Sequence, residues 1–210
     1  MTCPPTESPL GDPATLAAAC RRLRDGGVVV VPTDTSYGLA ADPTSADAVR
    51  VIFEIKGRPA EAALPLIAAS LAQVEAWAGP LDPRTRRVAE ACWPGPLSVI
   101  VDAPSSVVAT VHGGRGTVAI RVPANAVAQA LCAAWGAPLT ATSANVSGEP
   151  PAIDVKDLGA LAADRRVFVL DGGRLAGEPS STIVDARRDP PILVRAGTIA
   201  WDRVLKLLDQ

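Results

Sequence analysis

The chain has 210 residues, 48% of them hydrophobic, which suits one α/β domain with a core of aliphatic side chains. A net charge of −2 and a pI of about 5.4 give no overall electrostatic footprint for nucleic acid, and aromatics at 3% leave few platforms for stacked bases. No stretch reaches the ~20 apolar residues of a membrane span, and Met1 to Leu10 lacks the basic and apolar runs of a signal peptide, so a cytoplasmic protein with no membrane partner is expected.

Residues 1–10 read as a loose N-terminal tail and residues 11–210 as one domain. Asp12-Pro13 offers an N-cap and a first helical residue, Leu16, Ala19, Cys20 and Leu23 follow at helical spacing, and Gly26-Gly27 closes the helix. Val28–Val31 is β-branched and apolar throughout, the pattern of a strand covered on both faces. A polar loop follows Pro32, Thr33-Asp34-Thr35-Ser36-Tyr37-Gly38. Thr44 and Asp47 then form a capping-box pattern ahead of a helix carrying Val49, Ile52 and Phe53. Strands are expected at 64–69, 97–101, 117–122, 138–142, 167–170, 182–185 and 192–195, and helices near 72–78, 83–92, 125–135, 155–162 and 199–208. Strands and helices interleave without strict alternation, and the last three strands follow one another through loops alone. The fold class is therefore α/β: a single-domain, twisted, open mixed sheet with flanking helices.

Several familiar chemistries are excluded. The four cysteines Cys3, Cys20, Cys92 and Cys132 form no CxxC pair, and with the single His112 they match no zinc spacing, so no protein metal site is expected and they read as reduced core thiols. There is no GxxxxGK[ST] loop and no GxSxG. Polar strings instead follow apolar strands, where open α/β sheets place their ligands. Thr33-Asp34-Thr35 either bonds its own backbone as a turn or faces a ligand. Lys56-Gly57-Arg58-Pro59 ends a helix; its cations either complement the helix dipole, with Gly57 as a left-handed cap, or grip phosphate oxygens. Ser143-Ala144-Asn145 supplies small donors and acceptors. Arg121 interrupts an apolar strand and needs an anion, either a structural carboxylate or a ligand. His112–Gly116 reads as a mobile hairpin loop or as an entry lid.

Taken in order, Pro32-Thr33-x-Thr35-x-Tyr37-Gly38-Leu39, Lys56-Gly57-Arg58-Pro59, Trp93-Pro94-Gly95-Pro96-Leu97, Arg121-x-Pro123, Ser143-Ala144-Asn145-x-Ser147-Gly148, Ser181-Thr182-Ile183-Val184-Asp185 and Arg195-x-Gly197 resemble the YrdC-like family from about residue 14 to about 200. The resemblance implies a twisted open sheet around a basic cleft and the synthesis of threonylcarbamoyl-AMP from L-threonine, bicarbonate and ATP, with release of pyrophosphate. Magnesium would be held mainly by ATP. A downstream transferase would pass the threonylcarbamoyl group to an adenosine of certain tRNAs. By that resemblance Lys56 and Arg58 carry the catalytic electrostatics on the triphosphate, Ser143, Asn145 and Arg195 complete the nucleotide side, and Thr33, Arg121 and Ser181 surround threonine.

The chain departs from the family pattern after Pro59. Ala62 and Ala63 stand where many relatives carry Lys or Asn and then Pro, and Ile67 stands where some carry His. It also ends soon after Arg195, so the extra C-terminal domain of longer members is not expected. Two alternatives stay open. One is a non-catalytic RNA- or nucleotide-binding protein of the same fold in tRNA or ribosome maturation, touching tRNA or other double-stranded RNA directly. The other is a carbamoyl-adenylate module of the hydrogenase-maturation kind.

Overall fold

The computed structural model describes residues 12–57 and 63–209; the expectations for residues 1–10, Arg58, Pro59 and Ala62 lie outside them. Helix α1 (Pro13–Arg24) starts where its sequence demands, with the Asp12 carboxylate accepting from the amides of Ala14 and Thr15 at 2.8 and 3.2 Å. Strand β1 (Val28–Pro32) is buried along its whole length. Val28 and Val30 face one hydrophobic cluster and Val29 and Val31 the other, the two-sided burial that an unbroken valine run requires. Each fully buried valine contributes about 1.5–3 kcal/mol, which is what keeps so short a strand in place.

Helix α2 (Ala46–Lys56) begins one residue later than the Thr44 pattern implies. Asp42 takes both the amide and the hydroxyl of Thr44 at 2.8 Å, so that hydroxyl is committed elsewhere. Ser45 caps the helix instead, accepting from the Ala48 amide at 3.2 Å. Gly57 ends the helix in the left-handed region at φ 58°, as its sequence position suggested.

The remaining strands are β2 (Tyr37–Ala40), β3 (Leu66–Ile67), β4 (Leu97–Asp102), β5 (Thr117–Arg121), β6 (Leu139–Thr140), β7 (Thr142–Ser143), β8 (Val167–Val169), β9 (Thr182–Asp185) and β10 (Ile192–Arg195). The helices are α3 (Leu71–Ala78), α4 (Pro83–Cys92), α5 (Ala109–His112), α6 (Ala126–Trp135) and α7 (Trp201–Leu208), with a 3-10 run at Val155–Ala163. The expected open, mixed α/β architecture is present, and its strands hydrogen-bond as two ladders, β7-β2-β1-β8 and β10-β9-β4-β5-β3-β6. In the first, β1 runs antiparallel to β2 and parallel to β8. In the second, β4 is antiparallel to β5 and parallel to β9. Helices α1 and α6 cover one core through Cys20, Leu23, Leu131 and Cys132. The other core gathers Ile52 of α2, Val88 of α4 and Val204 of α7.

Four segments differ from their sequence reading. Tyr37 and Gly38, read as loop, pair with Pro32 and Val31 in a hairpin, because the turn between β1 and β2 takes only residues 33–36. The strand expected over 138–142 splits at Ala141 and ends one residue later: Thr140 belongs to the second ladder, Thr142 to the first, and the Ala141 amide turns aside to the Pro65 carbonyl at 2.7 Å. The strand expected over 64–69 shrinks to Leu66–Ile67, since Pro65 has no amide to donate. Residues 155–163 wind as 3-10 and break at Gly159, whose φ of 52° no helix accepts. Strands β4 and β5 do pair as a hairpin, but their connection holds the short helix α5, which ends at His112 and is capped by left-handed Gly113. Cys20, Cys92 and Cys132 are buried free thiols, and burial pushes the Cys132 thiol up to about 12; Cys3 lies outside the described residues.

Candidate active site

Strand direction gathers the predicted residues. Because β4 is antiparallel to β5, its start lies beside the end of β5; β9 runs with β4, and β10 runs back against β9. Ser98 at the start of β4, Arg121 at the end of β5, Ser181 just before β9 and Arg195 at the end of β10 therefore share one edge of the second ladder. The β1–β2 turn and β7 of the first ladder face them across a cleft of about 220 Å³, lined among others by Thr33, Thr35, Arg121, Ser143, Ser181 and Arg195. That is below the ~300–1,000 Å³ of pockets for drug-sized ligands, so the enclosed part suits an amino acid rather than a whole nucleoside triphosphate. Ala63 and Ile67, two of the positions where the sequence departs from the family, line it as well. None of residues 112–116 does.

Arg121 is 7% exposed. Its Nη1 donates to Asp34 Oδ1 at 2.7 Å, and its Nη2 donates to the hydroxyls of Thr33 and Thr35 at 3.3 and 3.1 Å. Burial lowers its pKa and the Asp34 charge opposes that shift; a guanidinium stays charged regardless. Of the two anions the sequence left open, a structural carboxylate, that of Asp34, faces Arg121. Thr33 is internally committed. Its only proton goes to the Ser36 carbonyl at 2.7 Å, and its oxygen already faces the amides of Thr35 and Ser36. Its contact with Thr35 at 3.1 Å must therefore take the Thr35 proton.

Arg195 lies against Ser181, donating to its carbonyl from Nε and Nη2 at 3.1 and 2.7 Å and to its hydroxyl at 3.0 Å. The Ser181 hydroxyl meets that of Ser98 at 3.1 Å. Arg195 remains partly open to solvent; partial desolvation lowers its pKa, and the positive charge of Arg121 lowers it further. Among the described residues no carboxylate pairs with Arg195. The cleft wall thus carries two guanidiniums that feel each other, and one carboxylate, that of Asp34, pairs with Arg121, an arrangement short of one negative charge.

Gly197 locks this wall in place. A Cβ there would sit 2.1 Å from the Ser180 carbonyl oxygen and 2.5 Å from the Thr182 amide, so only glycine lets the chain after β10 press against Ser180–Thr182. The Trp93–Leu97 motif is likewise architectural: the Trp93 indole donates to the Leu97 carbonyl at 2.7 Å, and the Gly95 amide to Val122 at 2.8 Å, which aligns β4 and so presents Ser98.

Lys56, Ser143 and Asn145 form a group of their own. Lys56 is 2% exposed, and its Nζ donates to the Ser143 carbonyl at 2.7 Å, to Asn145 Oδ1 at 2.9 Å and to the Asn145 carbonyl at 3.1 Å. The cation expected to face phosphate is folded beneath the loop expected to face the nucleotide. Ser98, Asp34 and Thr35 carry contacts that the sequence reading did not assign. Ser98 left one signal, a small hydroxyl inside an otherwise apolar strand.

A family model described as telomere recombination, covering the Sua5, YciO and YrdC proteins, matches residues 21–197. The chain belongs to the Sua5/YciO/YrdC family. Within the family it is 40% identical over 186 residues to the threonylcarbamoyl-AMP synthase of Halorhodospira halophila, covering 88% of this chain and 95% of that one. The crystal structure of Pyrococcus abyssi Sua5 complexed with L-threonine superposes with a TM-score of 0.83 at 34% identity, covering 91% of this chain. This chain spans 56% of that longer protein. E. coli YciO superposes with a TM-score of 0.79 at 26% identity over 89% of this chain and 91% of that one.

Proposed function

We propose that this chain is a threonylcarbamoyl-AMP synthase. The observation that carries the reading is the amino-acid-sized cleft lined by two guanidiniums, the buried Arg121 and the more exposed Arg195, with the single carboxylate of Asp34 behind them. That charge balance asks for one more anionic group, and the carboxylate of threonine supplies it. The synthase names of close relatives and the threonine-bound state of a structural neighbour support the same substrate.

In the reaction the threonine amine takes up bicarbonate, forming a C–N bond and losing water to give a carbamate. A carbamate oxygen then attacks the α-phosphorus of ATP, and the bond to pyrophosphate breaks. Arg121 holds the threonine carboxylate, with Thr33 and Thr35 fixing the guanidinium and Ser181 lining the same wall. Orientation of this kind replaces much of the entropy cost of bringing two reactants together. Arg195, Ser143 and Asn145 face the nucleotide, Lys56 holds the Ser143–Asn145 loop from beneath, and Arg58 offsets charge on the phosphates. Among the described residues no group of three or more His, Cys, Asp or Glu could hold a metal ion. Magnesium would enter as part of the ATP complex, as it commonly does with nucleoside triphosphates. The product passes to a transferase that modifies tRNA in the cytoplasm. No observation favours the non-catalytic RNA-binding alternative.

The test is pyrophosphate release by the purified protein with ATP, magnesium and bicarbonate, with and without L-threonine. Threonine-dependent release accompanied by a new adenylate is expected. Release that ignores threonine, or none from folded protein, overturns the reading.

A further inference from the structure

A second carboxylate-bound arginine in the same molecule shows a pair with both oxygens engaged. Arg187 meets Asp185 as a fork, Nε to Oδ1 at 2.9 Å and Nη2 to Oδ2 at 3.0 Å, so both carboxylate oxygens are engaged. Asp34 meets Arg121 through one oxygen only. Its Oδ2 is buried and accepts no hydrogen bond. Arg121 is meanwhile held by the two threonine hydroxyls, so its orientation does not rest on Asp34 alone. What Asp34 alone supplies is negative charge, at a guanidinium whose burial makes an uncompensated charge costly. It supplies that charge from the four-residue β1–β2 turn rather than from a strand.

We propose that Asp34 is a positioning residue that occupies the place of a ligand carboxylate on Arg121 while the cleft is empty. Loading exchanges one carboxylate for another on the same guanidinium. Asp34 therefore keeps the empty protein stable and in doing so weakens its grip on anions. The proposal rests on the synthase reading only in taking threonine as the natural ligand; the exchange itself is a property of any anion in the cleft.

The test compares the wild type with Asp34→Asn and Asp34→Glu, using calorimetric titration and thermal melts with two probes, L-threonine and inorganic phosphate. Asparagine keeps an oxygen for Nη1 and removes the charge, while glutamate keeps the charge. In Asp34→Asn the ligand-free melting temperature should fall, both probes should bind about tenfold tighter, and each should raise the melting temperature by more than it does in the wild type. Asp34→Glu should show neither gain. Equal or weaker anion binding by Asp34→Asn overturns the proposal, as does the same tightening in Asp34→Glu. An Asp34→Asn protein that stays unfolded at saturating phosphate and threonine also overturns it, because an anion must then be unable to take the carboxylate's place. Phosphate separates this inference from the functional one. A wild type that binds phosphate but ignores threonine defeats the synthase reading and leaves the phosphate comparison to decide on Asp34; a wild type that binds neither defeats both.

Discussion

At the scale of single residues, Arg121 shows how a charge at the end of an apolar strand is held. Its donors are aimed by neighbours that spend their own protons elsewhere, so the orientation of the guanidinium is fixed by the fold itself. Replacing it with lysine keeps the charge and loses the planar fork. Arg121→Lys should fold, raise the KM for threonine by about 10- to 100-fold, the worth of one or two charged hydrogen bonds, and leave the KM for ATP within about threefold. Initial rates of pyrophosphate release with each substrate varied in turn would check this; equal rises in both KM values would place Arg121 outside the threonine subsite. Tyr37, the only tyrosine of the chain, offers a second handle. Its hydroxyl donates to the Gly173 carbonyl at 2.7 Å and accepts from the Gly172 amide at 2.9 Å. Burial pushes its pKa up to about 12, the Gly172 amide opposes the shift, and the Asp171 charge adds to it. The folded pKa lies above the unfolded value of about 10. The stabilisation is therefore complete below pH ~10 and is lost as pH rises through about 12. Phenolate absorbance of the native protein should rise near pH 12, and that of the urea-unfolded protein near pH 10.

At the scale of elements, the site depends on two tethers. One is the ammonium of Lys56 beneath the Ser143–Asn145 loop. Lys56→Ala should weaken ATP binding at least tenfold and speed amide exchange in residues 143–147, because the loop loses the donor to three of its oxygens. Weaker ATP binding with unchanged exchange would show instead that Lys56 acts on phosphate directly. The other tether is Gly197. Gly197→Ala should lower activity by more than tenfold by displacing Ser180–Thr182, since the added carbon meets backbone rather than a yielding side chain; wild-type kinetics would mean that the β9–β10 wall moves freely. These elements also mark what the sequence could and could not convey. Pattern placed α1, β1, α4 and β9 closely, because local chemistry decides them, as Asp12 before Pro13 and four valines in a row show. It missed β2, β7 and the cap of α2, because those depend on partners far along the chain or on a neighbour competing for the same hydroxyl. That Arg121, Ser181 and Arg195 line one cleft was legible, since polar groups at strand ends stand out. Asp34 was not, since nothing local says that its carboxylate will meet an arginine 87 residues away.

For the whole molecule, the two ladders share their walls. Leu66 faces one core and Ile67 the other, and the Thr140 amide bonds across to the Ala41 carbonyl at 2.9 Å. The described residues should therefore melt as one cooperative unit, with calorimetric and van't Hoff enthalpies that agree; two resolved transitions would mean that the ladders fold separately. The split at Ala141 carries a consequence for the cleft itself. Thr140 and Thr142 are fastened into different ladders with one residue between them, so at that corner the ladders stand no farther apart than two Cα steps, about 7.6 Å at full stretch. The corner behaves as the rivet of a pair of calipers. Its span is set by covalent bonds, and a larger guest is accommodated by the turn and loop side chains on the free arms or not at all.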